Sequence, residues 1–373
     1  MKQHVTLAML ILSLAPGAFA ARQPWAFAAI ADPRPLTFKN GFQEDLRFFK
    51  SQIIDQATPE MPAPEFLAVA GDMDPMTLCD QLIAETLGAQ FPWLPILGNH
   101  DLEWRHDIPR ILGRFRRLNI VWGPDGTKDC QYSLTHKGLL FVGVNQYWNG
   151  GNGQGAEIGN LSDGRPDADI VPANLAWLRR ILAATPARWK IVAGHEPAWP
   201  FHRHDEDSLA DEPANRDAFW KMLDETNTHL YFCGHTHRYG TYQWPGNQYG
   251  ERWNDHVSRL LPHPVGVWQV DAGALRGSVR QNADDRTVIY CRVADDRISR
   301  HTYQSRRLGK GRFAPWGVPP NDLDDAEGPT LYRWDIFPSV RQNLVAEQFP
   351  RHYSVAALAN GRRSPWWAVW KRW

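Results

Sequence analysis

Asn99, His100 and Asp101 follow Leu97-Gly98 at the end of an apolar run, Trp93-Leu94-Pro95-Ile96. An amide oxygen can ligate a metal, an imidazole can give or take a proton, and a carboxylate can orient that imidazole. Gly-Asn by itself also marks ordinary turns. Four more apolar runs end the same way. Trp25–Ile30 leads into Asp32, and Phe66–Ala70 leads into Gly71-Asp72-Met73-Asp74. Trp189–Ala193 leads into Gly194-His195-Glu196-Pro197, and His229–Cys233 into Gly234-His235-Thr236-His237. Any one of these side chains could be a satisfied buried polar group. Five together, each behind an apolar run, argue for a shared site. Two carboxylates, one amide and three histidines suffice for two divalent metal ions. Mixed oxygen and nitrogen donors suit Zn, Mn or Fe(II), and no thiolate narrows the choice.

Such a set requires strands that deliver their carboxyl ends to one place, as open α/β sheets do. Helical spacing lies between these runs: Leu46, Phe49, Ile53 and Ile54 within Gly41–Ala57; Thr77–Leu87; Ile108–Leu118, a basic amphipathic stretch read as a solvated helix; Leu175, Leu178 and Leu182 within Ala173–Ala183; and Ala214–Leu223. Tyr132–Leu134 and Leu139–Val144 read as a hairpin across Lys137-Gly138. Val265–Val270, Thr287–Val293 and Ile298–Tyr303 read as further strands. Strands alternating with helices predict an α/β fold with stacked sheets. Beyond about residue 305 prolines accumulate and periodicity is lost. That leaves a catalytic domain over 21–305 and an extension, 306–373, expected to pack on it.

Met1–Ala20 reads as a secretory signal: Lys2, an apolar stretch Val5–Leu14, and the small-x-small site Ala18-Phe19-Ala20. The run is too short to span a bilayer, and no later segment is long and apolar enough to do so. The expected location is the periplasm or the medium. Lys+Arg and Asp+Glu are equal at 41 each. Removing the signal takes away Lys2 and no acid, so the near-neutral chain lacks the basic footprint of a nucleic-acid binder. Cys79, Cys130, Cys233 and Cys291 are widely spaced and form no Cys-x-x-Cys zinc pattern. Cys233 reads as a buried thiol.

From about Trp25 to Gly273 the motifs and their order resemble the calcineurin-like metallophosphoesterases. The pattern is Asp-x-His, Gly-Asp, Gly-Asn-His-Asp/Glu, Gly-His before Pro, and Gly-His-x-His. Glu196-Pro197-Ala198-Trp199 and Ala218-Phe219-Trp220 are similar, more distantly, to exported bacterial relatives of the purple acid phosphatases. The resemblance implies a four-layer α/β/β/α sandwich and a metal-dependent phosphoesterase acting on a small phosphomonoester or phosphodiester through a metal-bridging hydroxide. It implies that Asp72 bridges two ions, with Asp32 and His237 on one side and Asn99, His195 and His235 on the other. His100 would not ligate but would protonate the leaving oxygen or hold the phosphate, with Asp101 beside it in the catalytic motif.

Two departures stand out. Arg34 occupies the place of a ligating histidine, and Pro75 the place of the tyrosine that binds iron in purple acid phosphatases. A guanidinium has no lone pair to offer a metal. The expectation is therefore one tight and one weak metal position, with Arg34 able to grip a substrate phosphate. The alternative is a metal- or ligand-binding protein of the same fold that has lost catalysis. His202–Asp207 reads as a charged loop, either solvated or bordering substrate, and Asn149–Gly155 as a connector or a flap. Trp148, Trp199, Phe201, Tyr242 and Trp244 are near enough to site segments to stack on a substrate. The tail Trp366–Trp373 is amphipathic and expected to dock on the body.

Overall fold

The structure is a computed structural model that describes residues 23–103, 107–124, 127, 129–151, 168–200, 204, 207–244, 267–275, 286–295, 297–305, 332–336 and 343–345; for 241–244, 304–305, 332–336 and 343–345 only the backbone is described. Among the described residues, two seven-stranded sheets form its centre. In the first, β1 (Trp25–Ile30), β2 (Pro64–Ala70) and β3 (Trp93–Ile96) run parallel. On the other side of β1, β11 (Arg286–Val293), β12 (Ile298–Ser305), β13 (Tyr332–Ile336) and β14 (Asn343–Val345) continue as an antiparallel meander. The second sheet runs β4 (Asn119–Trp122), β5 (Tyr132–His136), β6 (Leu139–Gly143), β7 (Trp189–Ala193), β8 (Leu230–Cys233), β10 (Val267–Ala272) and β9 (Tyr239–Trp244). Within it β6, β7, β8 and β10 are parallel.

The parallel strands are apolar along their length because both faces are covered. Between the sheets, Phe27 stacks on Phe66 at 5.2 Å and meets Phe232 edge-on at 6.1 Å, while Phe66 meets Phe141. Outside the first sheet lie α1 (Pro35–Phe48) and α2 (Met76–Leu87); outside the second lie α4 (Pro172–Ala184) and α5 (Pro213–Glu225). Each buries an apolar stripe, such as Trp177, Leu178 and Leu182 on α4. Lys190 on β7 donates to the carbonyls of Leu182 (2.5 Å) and Thr226 (3.0 Å), tying the carboxyl ends of both helices to the sheet. The result is the four-layer α/β/β/α sandwich.

Boundaries differ from the sequence reading where local chemistry intervenes. Proline can occupy the first helical turn, so α1, α4 and α5 begin at Pro35, Pro172 and Pro213. The first helix continues as a π-helical turn over Phe49–Ile54. The stretch after Ile108 is helical only to Gly113 (α3), and Ile108, Ile111, Leu112, Phe115 and Leu118 are buried, so this is a docked apolar face rather than a solvated one. All four cysteines are buried free thiols.

Candidate metal centre

Strand ends on adjacent parallel strands of both sheets converge, and the loops that leave them turn sharply. Asp32, Arg34, Asp72, His235 and His237 all have positive φ, between 37° and 69°. Non-glycine residues are uncommon in that region and hold it only where surrounding structure enforces it. Main-chain bonds do so here: Asp32 N donates to Gly71 O (3.2 Å), Arg34 N to Asp72 O (2.9 Å) and Gly234 N to His195 O (2.7 Å). Gly71, at φ +84°, is required on two counts, since a β-carbon there would also collide with the imidazole of His195.

His195 is wholly buried, and its Nδ1–H donates to Ala70 O at 2.8 Å. That bond leaves Nε2 with its lone pair, 3.2 Å from Asn99 Oδ1 and 3.4 Å from Asp72 Oδ1. Three electron-pair donors face one another with no proton between them, an arrangement that a cation resolves. Asp32 Oδ1 lies 3.3 Å from His237 Nε2, and its Oδ2 accepts from His235 N at 2.8 Å. Asp32, Asp72 and His237, all buried, bring one donor atom each within 4.8 Å of the others. His235 Nε2 donates to Asp207 O at 3.0 Å, which frees Nδ1; its ring is 5.1 Å from that of His195. The donor set therefore fits divalent metal. Burial opposes ionisation of Asp72, as does Asp32, yet neighbouring positive charge, that of Arg34 included, holds the carboxyl below its usual range.

His100 Nε2 is 4.0 Å from Asp72 Oδ2, and its N–H donates to Asp72 Oδ1 at 3.1 Å. Asp101 does not orient this imidazole. Its two oxygens accept from Met73 N and Gly98 N, both at 2.8 Å, so the carboxylate staples the Asp72 loop to the Asn99 loop. Arg34 turns inward rather than to solvent. Its guanidinium clamps Asp74 through Nε (3.0 Å) and Nη2 (3.3 Å), with terminal nitrogens 3.0 and 3.2 Å from the ring nitrogens of His100. Burial disfavours its charge, yet the carboxylates of Asp72, Asp74 and Asp32 hold its pKa above the ordinary value. Asp74 is thereby committed to Arg34 and adds no free carboxylate to the metal set.

Gln146 carries a positioning role that no motif announced. Its Oε1 accepts from His195 N (2.5 Å) and Glu196 N (2.8 Å), and its Nε2 donates to Glu196 O (3.0 Å) and Tyr231 Oη (2.8 Å). Of the aromatics considered for stacking, Trp148 and Trp199 are buried, and Trp199 packs edge-on against Trp220 at 4.6 Å. Phe201, the side chains of Tyr242 and Trp244, residues 152–155, His202, Arg203 and the tail lie outside the described residues.

Among the solved structures, one described as PhoD superposes with a TM-score of 0.56 at 12% identity, covering 90% of this chain and 73% of its own; it shares the fold. A purple acid phosphatase from yellow lupin (Lupinus luteus) seeds gives a TM-score of 0.46 at 11% identity, covering 75% of this chain and 51% of its own length. No curated protein sequence matches the chain. The family profile described as calcineurin-like phosphoesterase matches residues 27–239. That span is more than half of the chain and contains every residue of the centre, from Asp32 to His237. The chain belongs to the calcineurin-like phosphoesterase family and is a metal-dependent phosphoric ester hydrolase.

Proposed function

We propose that the protein is an exported hydrolase of small phosphomonoesters or phosphodiesters, working with two divalent ions of the Zn, Mn or Fe type. Asp32, Asp72 and His237 would hold one ion, and Asp72, Asn99, His195 and His235 the other. The observation that carries this is the meeting of His195 Nε2, Asn99 Oδ1 and Asp72 Oδ1, which are donors of electron pairs only. When bound, such ions supply Lewis acidity that neutralises phosphoryl charge and activates water. The protein's own groups supply the rest. His100, at the edge of the donor set, is placed to pass a proton to the departing oxygen. Arg34, fixed by a bidentate pair with Asp74, presents a cation with donors to spare toward an anionic phosphate. The first position has fewer protein ligands than the second, which supports unequal metal affinities.

Export is supported by Lys2, the apolar Val5–Leu14 and the Ala18-Phe19-Ala20 site; an exported chain beginning at Ala21, by mass, is the expected outcome. No helix among the described residues is long and apolar enough to cross a membrane. The test of activity is hydrolysis of aryl phosphomonoesters and diesters by the purified protein with Mn or Zn added. Turnover is expected on at least one class. Metal demonstrably bound with no turnover on any phosphate ester would overturn the reading and favour a binding protein.

A further inference from the structure

Between the two ligating histidines of the Gly234-His235-Thr236-His237 loop stands Thr236, which is wholly buried. Its hydroxyl donates to Asp271 Oδ2 at 2.5 Å. That length belongs to a charge-assisted bond from a hydroxyl to a carboxylate. The same hydroxyl oxygen accepts from Arg238 N at 3.2 Å, so the bonds close around His237. Asp271 lies near the end of β10, in register with Cys233 of β8, and is 1% exposed. Its other oxygen accepts from Gly273 N at 2.9 Å. Both oxygens accept, as those of an ionised carboxylate do, and burying that charge would be costly without such partners. The segment that follows crosses to the first sheet. Leu275 N donates to Ala31 O at 2.8 Å, next to Asp32, and Thr287 N on β11 donates to Ala274 O at 3.0 Å. Asp271 therefore joins the end of β10 to the His237 loop, four residues before the chain docks on the Asp32 strand.

His235 and His237 both hold positive φ, 69° and 57°. Such backbone persists where neighbouring structure over-determines it. His235 is held by its own N–H, which donates to Asp32 Oδ2, and by its Nε2, which donates to Asp207 O. His237 is bracketed by the Thr236 hydroxyl and Arg238 N. We propose that Asp271 is a positioning residue: through Thr236 it fixes the backbone of His237 and thereby sets the affinity for the ion held by Asp32, Asp72 and His237. The proposal rests on the two-ion reading above and names the residue that governs one of its positions. A side chain that touches no ion can act in this way, because a ligand already held in place has little conformational freedom left to lose when the ion arrives.

The test reads metal affinity as well as turnover. The purified full chain is stripped with a chelator, and manganese uptake is titrated against a competing chelator. The equivalent that Asp32→Asn abolishes marks the position in question. Thr236→Val keeps the shape of the side chain and removes the hydroxyl. It should weaken that equivalent by about 10–100-fold and leave the other unchanged. Asp271→Ala should do the same, and the double variant should lose no more than either single, since both break one link. Thr236→Ser, which keeps the hydroxyl, should keep the wild-type affinity. In a phosphate-ester assay, Thr236→Val should need more manganese for half activation, with kcat recovered once the metal saturates. Unchanged affinity of the marked equivalent in both Thr236→Val and Asp271→Ala would overturn the proposal. Equal weakening of both equivalents, or additive losses in the double variant, would overturn it too, because the pair would then support the fold at large rather than His237. A wild-type chain that takes up no divalent ion would overturn the two-ion reading, and the proposal with it. Absent turnover with both equivalents bound would count against the phosphoesterase reading alone.

Discussion

Asp101 and His100 are neighbours in sequence with different tasks. The carboxylate of Asp101 is consumed by Met73 N–H and Gly98 N–H, so it acts on the centre only by holding two loops in register. Burial, reinforced by Asp72, pushes its carboxyl well above the usual carboxylate range. An asparagine can offer only one acceptor oxygen, and its amide nitrogen would face an N–H donor. Asp101→Asn should therefore cost about 1–3 kcal/mol in denaturant unfolding through one orphaned buried amide. It should also weaken metal binding by about 10–100-fold, as loss of an outer partner does. His100 instead places Nε2 4.0 Å from Asp72 Oδ2, beside the donor set. With metal content unchanged by dialysis, His100→Ala should lower kcat by about 10²–10⁴ on a substrate with a poor leaving group. An aryl ester whose leaving group needs no proton should lose less, and an equal loss on both would remove the general-acid role.

At the scale of elements, the strand-end motifs were legible in sequence because each follows an apolar run, with His195 and His235 directly behind a glycine. That glycine is there for a physical reason: a β-carbon at Gly194 would collide with Tyr231 Oη, and one at Gly234 with Asp32 Oδ2. Gln146 was not legible. Its partners are 49 to 85 residues away and are fixed only when β6, β7 and β8 lie side by side. Gln146→Ala would leave His195 N–H and Glu196 N–H without their acceptor, a cost of about 2–5 kcal/mol for two buried amides, measurable as a lowered denaturation midpoint. Arg34 was legible as a misfit, but its partner Asp74 became visible only through the loop geometry. A second long-range pair anchors α1 to β11: Asp45 Oδ1 lies 2.7 Å from Arg286. Complete burial pushes Asp45 up to about 8 although Arg286 opposes this. A raised carboxyl pKa means the native state keeps a proton that the unfolded chain has lost. The stabilisation is complete below the unfolded value near 4 and disappears as pH rises toward 8. Wild-type stability should accordingly fall from pH 4 to 8 by more than that of Asp45→Asn, as followed by urea denaturation across that range. Parallel slopes would contradict it.

For the whole molecule, the sequence made the two-sheet plan readable because buried parallel strands are continuous apolar runs. The edges escaped it. Strand β4 alternates between exposed and half-buried residues, and β13 and β14 lie among prolines such as Pro329 and Pro338, where no run signals a strand. Yet β13 pairs with β12 over five residue pairs, from Ile298↔Ile336 to Thr302↔Tyr332, and β14 pairs with β13. Residues beyond 305 thus contribute strands to the sheet that carries Asp32 and Asp72, which supports treating 306–373 as an extension of the catalytic body. Removing them would leave β12 as an edge with a row of unpaired amides and carbonyls, a template for association with other chains. Limited proteolysis should leave the distal piece bound to the body through non-denaturing size exclusion. A chain ending at Ser305 should be less stable and prone to aggregate at micromolar concentration, with its metal ligands intact in sequence. A well-behaved monomer ending at Ser305, with unchanged melting and metal content, would instead make the extension dispensable to the fold.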